Sequence, residues 1–265
     1  MNPSHQSDYS SRRVPLASEE GRSPLEGISH LLLDIEGTTC PVDFVAGTLF
    51  PYAADRLETF LEEKAGLEPV RSLIRDVHNA WVQDDDDEAR TLRCRVEDPA
   101  AVAAYLRLLI RQDRKLTALK ELQGLIWEDG YACGELMAPL FEDVANALRT
   151  WQAAGMVLAV YSSGSVKAQQ LLYGHSSGGD LRHLFCYWFD TRTGPKQQSQ
   201  SYRNIAAAMT VAPESILFIS DALAECEAAH NSGMAVLFSD RAGNPHRDPG
   251  PFKAIRNYSE LLLEL

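Results

Sequence analysis

Beyond residue 140 the hydrophobic positions of the chain fall into two alternating rhythms. "LFEDVANALRTWQAAG" puts Val144, Leu148 and Trp151 on one helical stripe and offers Gly155 as the stop. "MVLAVY" follows as a short, unbroken apolar run. The exchange then repeats. "SYRNIAAAM" has helical spacing, "SILFIS" reads as strand, "ALAECEAAHNSG" is helical up to Gly233, and "MAVLF" is strand again. With the opening "HLLLD" and the short "FCYWFD", the pattern predicts a sheet of five strands or more. Apolar runs that do not alternate, separated by helices, indicate an α/β fold whose parallel sheet is covered on both faces. Residues 176–181 and 240–251 read as loops.

Between the first strand and residue 139 only the helical rhythm is present. "LFPYAADRLETFLEE" aligns Leu49, Ala53, Leu57 and Phe60, and "VRSLIRDVHNAWV" aligns Val70, Leu73, Ile74, Val77 and Trp81. "AVAAYLRLLI" and "KLTALKELQGLIW" continue in the same way. The expected organisation is a core built from residues 28–43 and 140–265, interrupted at 44–139 by a helical cap domain. Residues 1–27, polar and without periodicity, are expected to form a disordered tail. Ligands of open parallel sheets bind beyond the carboxyl ends of the strands, so an insertion directly after the first strand is placed to act as a lid. No internal repeat is evident.

Composition narrows the functional classes. At 265 residues, 45% hydrophobic and 23% charged, the chain has ample material for a core and no stretch of membrane-spanning length. A formal charge of −12 argues against nonspecific nucleic-acid binding, because there is no excess of Lys and Arg to displace counterions. Cys40, Cys94, Cys133, Cys186 and Cys226 are scattered and never spaced as C-x-x-C, which fits a reducing cytoplasm rather than disulfides or zinc. "SSRRVPLASEE" has the arginine pair of an export signal but no apolar segment after it. The acidic run at residues 84–88 lacks the alternation of a calcium loop and is expected to be a solvated loop.

The chemistry gathers at the strand ends. Asp34 and Glu36 follow the first strand, and Ser162, Ser163, Gly164 and Ser165 follow the second. Asp190, Thr191 and then Lys196 follow the third, and Ser220, Asp221 and Glu225 the fourth. Taken singly, each has an ordinary reading: Asp34 as a helix cap, "SSGS" as a plain helix start, Lys196 as a solvated loop lysine, Asp221 with Glu225 as an exposed pair. Together they describe a phosphate site. A hard divalent cation relieves repulsion between Asp34 and Asp221, the N–H groups opening a helix receive an anion, and Lys196 adds a point charge. Asp34 is then a sensible nucleophile towards phosphorus, with Glu36 as the acid–base partner. His175 is expected to be a solvent-facing loop histidine, Tyr173 packing, and Cys40 a small apolar filler.

The order Asp34, Ser162, Lys196, Asp221 with Glu225 resembles the haloacid dehalogenase superfamily of phosphotransferases. Glu36 in place of the usual second Asp, together with "DIEGTT", "LFPYA", "KELQGLIWEDGY", "VYSSGSVKAQQLLYGHSSGGDL" and "FDTRTGPK", is similar to its enolase-phosphatases, or acireductone synthases. The resemblance covers residues 28–240. It implies a Rossmann-like core with a helical cap, one Mg²⁺ per chain, and a cytoplasmic monomer in methionine salvage. The implied substrate, 2,3-diketo-5-methylthiopentyl 1-phosphate, is enolised and then dephosphorylated to the acireductone. The resemblance further implies that Asp34, Glu36 (by side chain or backbone carbonyl) and Asp221 hold the metal, with Glu225 in support. Ser162, Ser163 and Lys196 would bind substrate. Asp43 stands in "PVDF" where the family carries a hydroxyl residue. The other readings open at this point are a divalent-metal phosphatase acting on another small ester without enolisation, and a noncatalytic phosphate-binding scaffold.

Overall fold

The computed structural model describes residues 25–93 and 98–262. The tail expected at 1–27 therefore lies largely outside the described residues, as does Cys94. Leu25 is already buried, and its carbonyl accepts the Ile28 N–H.

Six parallel strands form one sheet in the order β3-β2-β1-β4-β5-β6. They are β1 (His30–Leu33), β2 (Val157–Tyr161), β3 (Phe185–Phe189), β4 (Ile216–Ser220), β5 (Ala235–Ser239) and β6 (Ala254–Ile255). β1 is central and pairs with both β2 and β4, with Leu33 opposite Val160 on one side and Ile219 on the other. Period-2 geometry divides the apolar runs between two cores. Leu31, Leu33, Leu158, Val160, Leu217 and Ile219 face one, while Leu32, Ala159, Tyr161, Ile216 and Phe218 face the other. The first core is closed by α6 (Val144–Ala153), α7 (Val166–Gly174) and α10 (Ser259–Leu262), the second by α8 (Ser199–Met209) and α9 (Leu223–His230). β6 is the strand that periodicity missed. Two residues give no rhythm, and the strand exists because Phe238 and Ser239 of β5 offer an edge to Ala254 and Ile255.

Between β1 and α6 the chain is helical: α1 (Phe50–Lys64), α2 (Val70–Val82), α3 (Asp87–Leu92), α4 (Pro99–Arg111) and α5 (Thr117–Ala132). The expected stripe of α1 is buried at Leu49, Ala53, Leu57 and Phe60, and α2 buries Val70, Leu73, Val77 and Trp81. Gly130 lets α1 approach α5, since a Cβ there would meet the Tyr52 ring at 2.7–2.8 Å. Asp98 caps α4 by accepting the Ala100 N–H, with Pro99 at the first helical position.

The acidic run at 84–88 corrects an expectation, because only part of it is a solvated loop. Asp84 is buried, where it accepts hydrogen bonds from Tyr105 Oη at 2.9 Å and Arg114 Nη2 at 2.6 Å. Asp86 caps α3 through the Ala89 N–H, and Asp87 and Glu88 occupy the first turn, where the helix end favours negative charge. Asp84 and Asp86 anchor the run between helices, while Asp85, Asp87 and Glu88 are solvated as expected.

Candidate active site

Asp34 is the first residue past β1, and its N–H still bonds to the Ile219 carbonyl at 3.0 Å. The sheet therefore fixes its backbone, and its side chain is buried at the carboxyl edge. Gly37 turns the chain immediately afterwards with φ +68°. A Cβ there would lie 2.1 Å from Asp221 Oδ2, so only glycine lets the turn pass this close to the fourth strand's acid.

Lys196 reaches this acid from the loop after β3. Its Nζ lies 2.6 Å from Asp34 Oδ1 and 2.6 Å from Glu225 Oε2. Burial works against the charge on Lys196, but the Asp34 and Glu225 carboxylates outweigh it and hold the amine above the ordinary lysine range. Ser220 Oγ donates within the same group, 3.0 Å from Glu225 Oε2 and 3.4 Å from Asp34 Oδ2. The loop that carries Lys196 is held by residues the sequence did not single out. Tyr161 Oη donates to the Gly194 carbonyl, Ser201 Oγ to that of Pro195 and Tyr202 Oη to that of Lys196, at 2.7–2.8 Å. The first comes from β2, 33 residues away, and the other two from the start of α8, each six residues on from the carbonyl it holds.

Four carboxylates meet one amine here, and the imbalance shows in their protonation. Burial, then the charge of Asp34, pushes Glu36 up to about 7. The same causes push Asp221 up to about 7. Glu225 is raised as well, by burial and by Asp34. Such a surplus of hard oxygen donors fits a divalent cation, with Asp34, Glu36 and Asp221 as the residues that would hold it. Among the described residues, no three His, Cys, Asp or Glu side chains already stand together as a ligand set. Asp34 and Glu225 are engaged with Lys196 instead.

The second strand supplies the anion-receiving turn. Ser165 caps α7 by accepting the Ala168 N–H, and Ser162 Oγ accepts the Gly164 N–H at 3.1 Å. Asp190, after β3, is tied to Arg192 and to the Val166 N–H, so it supports the start of this helix. Gln169 does the same from within α7, donating to the carbonyls of Gly164 and Phe189, each at 2.8 Å.

Behind Asp34, Thr39 Oγ1 and the buried Tyr173 Oη are 2.8 Å apart. Tyr173 packs on Phe185 and Trp188. Cys40 is buried, and burial followed by Glu36 pushes its thiol up to about 12, which suits a filler and not a nucleophile. His175 is half-buried rather than fully solvent-facing as expected. Its ring stacks on Tyr131 at 5.1 Å and its Nδ1 lies 3.1 Å from the Leu171 carbonyl, so packing against the helical insert covers part of it. Asp43 is exposed.

A cavity of about 930 Å³ opens between sheet edge and helical insert. Glu36, Ser162 and Ser163 border it from the core, and Leu49, Leu73, Leu119, Gln123 and Trp127 from the insert. Asp34, Lys196, Asp221 and Glu225 form the deeper cluster and are not part of that wall. Two polar links join insert and core beside it: Lys120 Nζ donates to the Ser163 carbonyl at 3.0 Å, and Lys167 of α7 pairs with Glu128 of α5 at 2.6 Å.

The sequence model of haloacid dehalogenase-like hydrolases matches residues 28–233. Enolase-phosphatase E1 of Synechococcus sp. (strain RCC307) is 51% identical over 220 residues, covering 83% of this chain and 88% of that protein. Enolase-phosphatase E1 of Synechococcus sp. (strain CC9902) is 46% identical over 239 residues, covering 88% and 98%. The chain belongs to the enolase-phosphatase E1 family of haloacid dehalogenase-like hydrolases. It is a phosphatase-type hydrolase, of a kind that generally needs a divalent metal. The crystal structure of the UTR4 protein from Saccharomyces cerevisiae has the same fold, with a TM-score of 0.72 and 32% identity, covering 87% of this chain and 98% of that one. CbbY from Rhodobacter sphaeroides, solved in complex with xylulose-(1,5)bisphosphate, shares the fold at TM-score 0.54 and 20% identity, covering 88% and 96%. Within this enolase-phosphatase, the strand-end acids and Lys196 gather at one sheet edge.

Proposed function

We propose that this family member converts 2,3-diketo-5-methylthiopentyl 1-phosphate to the acireductone and phosphate, as a cytoplasmic monomer with Mg²⁺ as its metal. The observation that carries this reading is Asp34, fixed at the tip of the central strand 2.6 Å from Lys196, beside Glu36 on the wall of a largely apolar cavity. A bound cation, held by the carboxylates of Asp34 and Asp221 and by the backbone carbonyl of Glu36, would supply charge stabilisation for both the enolate and the phosphoryl group, leaving the Glu36 carboxyl free.

The chain's own residues supply the rest. Enolisation removes a proton alpha to a carbonyl, and a carboxylate at the wall of the cavity is placed to accept it. Glu36 takes this role. Its neighbour Asp34 then attacks phosphorus. The bond from phosphorus to the substrate oxygen breaks, and the proton carried by Glu36 passes to that leaving oxygen. Water, deprotonated by the same Glu36, cleaves the aspartyl-phosphate and returns Asp34. Lys196 orients the Asp34 oxygen and offsets the phosphate charge, while Ser162, Ser163 and the N-terminal turn of α7 receive the phosphate oxygens. The helical insert acts as the cap. Buried, unpaired Cys40 and Cys226 agree with a reducing compartment.

The test is to supply the diketone phosphate with Mg²⁺ and follow enol absorbance together with phosphate release. Phosphate without a detectable enol would indicate a simple phosphatase, and neither signal a scaffold. Asp34→Asn should abolish phosphate release, because the amide cannot form the acyl-phosphate; normal turnover by that variant would remove Asp34 from the nucleophile's role.

A further inference from the structure

We infer that Gln123 reads the oxygenated carbon chain of the substrate, its carboxamide hydrogen-bonding a carbonyl or enol oxygen of the phosphorylated diketone. This deepens the proposed function and rests on it. Gln123 sits in the middle of α5, 6% exposed, on the insert's wall of the active-site cavity. Among the described residues it has no hydrogen-bond partner in the protein. Its helical neighbours Leu119, Leu122, Ile126 and Trp127 are buried hydrophobics that cannot serve it. The amide atoms are not among the fully buried polar atoms that lack a partner, so they open onto the cavity, where an oxygen of a bound ligand can take the place of water.

On the insert's side of the cavity, the neighbouring polar groups of α5 are engaged. Trp127 Nε1 donates to the Leu49 carbonyl at 2.8 Å, and Lys120 Nζ to that of Ser163. Gln169, on the core side, uses both N–H groups on backbone carbonyls and keeps only its Oε1 without a partner, so it has no donor left for a substrate oxygen. A second feature of α5 points to the same place. Gly124, next to Gln123, also lines the cavity, and a Cβ built on it would meet nothing within 4 Å. No neighbouring side chain requires a glycine here. Its effect is to leave room beside the amide.

The chemistry of the reaction suits a carboxamide. The phosphate end of the substrate belongs to the strand-end cluster, so the carbon chain extends into the cavity towards the insert. An amide carries two donors and one acceptor. Its N–H₂ can donate to a ketone oxygen before enolisation, and its Oε1 can accept from an enol hydroxyl afterwards. A site built to bond an oxygen discriminates strongly against an analogue that lacks it, because the protein group is then left unpaired.

The experiment compares wild type with Gln123→Met and Gln123→Leu on two substrates, the diketone phosphate and n-pentyl phosphate, which has no carbonyl. The expected result is a loss of roughly tenfold or more in kcat/KM on the diketone phosphate, with pentyl phosphate changed by less than about threefold. Tm should rise in both variants, since an unpartnered amide leaves an apolar wall. Equal losses on both substrates with a lowered Tm would make Gln123 a packing residue and overturn the inference. So would undiminished kcat/KM on the diketone phosphate. Failure of the underlying function looks different: wild type itself would hydrolyse pentyl phosphate but leave the diketone phosphate untouched, and both readings would fall.

Discussion

At the scale of single residues, the site is governed by an excess of negative charge that Lys196 only partly offsets. Glu36 and Asp221 titrate near 7 in the fold, against ordinary values of 4.5 and 3.8. The folded protein therefore binds more protons than the unfolded chain between those limits. The stability these groups contribute is fully present below the ordinary values and is lost as pH rises through about 7. Metal-free protein should accordingly melt at a lower temperature at pH ~8 than at pH ~6, and Asp221→Asn should shrink the difference. Calorimetry in chelator across that range checks it, and a rise in Tm towards alkaline pH would contradict it. Gly37→Ala tests the same cluster sterically. Its methyl would collide with Asp221 at a positive φ, a conformation that costs about 1–3 kcal/mol for a residue with a side chain. Denaturant titration should register that loss, and Mg²⁺ should no longer raise the midpoint.

At the scale of elements, periodicity made the sheet and most helices legible, and strand ends marked Asp34, Glu36, Ser162, Lys196, Asp221 and Glu225. What stayed hidden depends on partners far away in sequence. Arg241 is the clearest case. Buried between the rings of Phe141 and Tyr258, it pairs with Asp143 at 2.9 Å and reaches the Thr38 carbonyl at 3.4 Å. In the sequence it is one more charge in a Gly- and Pro-rich loop. Arg241→Ala would leave Asp143 buried without its cation and should cost about 3–5 kcal/mol, measurable by chemical denaturation. β6 was invisible for a related reason, since its existence depends on the edge it joins. Asp84 read as part of an acidic tract because the sequence does not bring Tyr105 and Arg114 beside it. Within α5, Gly124→Ala should add about 0.5–1 kcal/mol of stability through helix propensity while its methyl narrows the cavity. A higher Tm together with a raised KM is the expected pair of results.

At the scale of the whole molecule, insert and core share one continuous apolar cluster and are pinned beside the cavity by Lys120 and the Lys167–Glu128 pair. Substrate and cation should therefore stabilise the two parts together. Saturating Mg²⁺ should raise Tm more at pH ~8 than at pH ~6, since protons compete for the same carboxylates at the lower value. Thermal shift over a metal titration at both values provides the check.

The turn that follows Asp34 is gripped from the far end of the chain. Tyr258 Oη donates to the Thr38 carbonyl at 3.1 Å, across a sequence separation of 220 residues. The turn beside the nucleophile is made 220 residues before the side chain that steadies it. A growing chain that has not reached Tyr258 can pair its early residues but leaves this turn unbraced. The brace is therefore a contact of high sequence separation, among those that cost most in loop-closure entropy and form after the strands between them have been made.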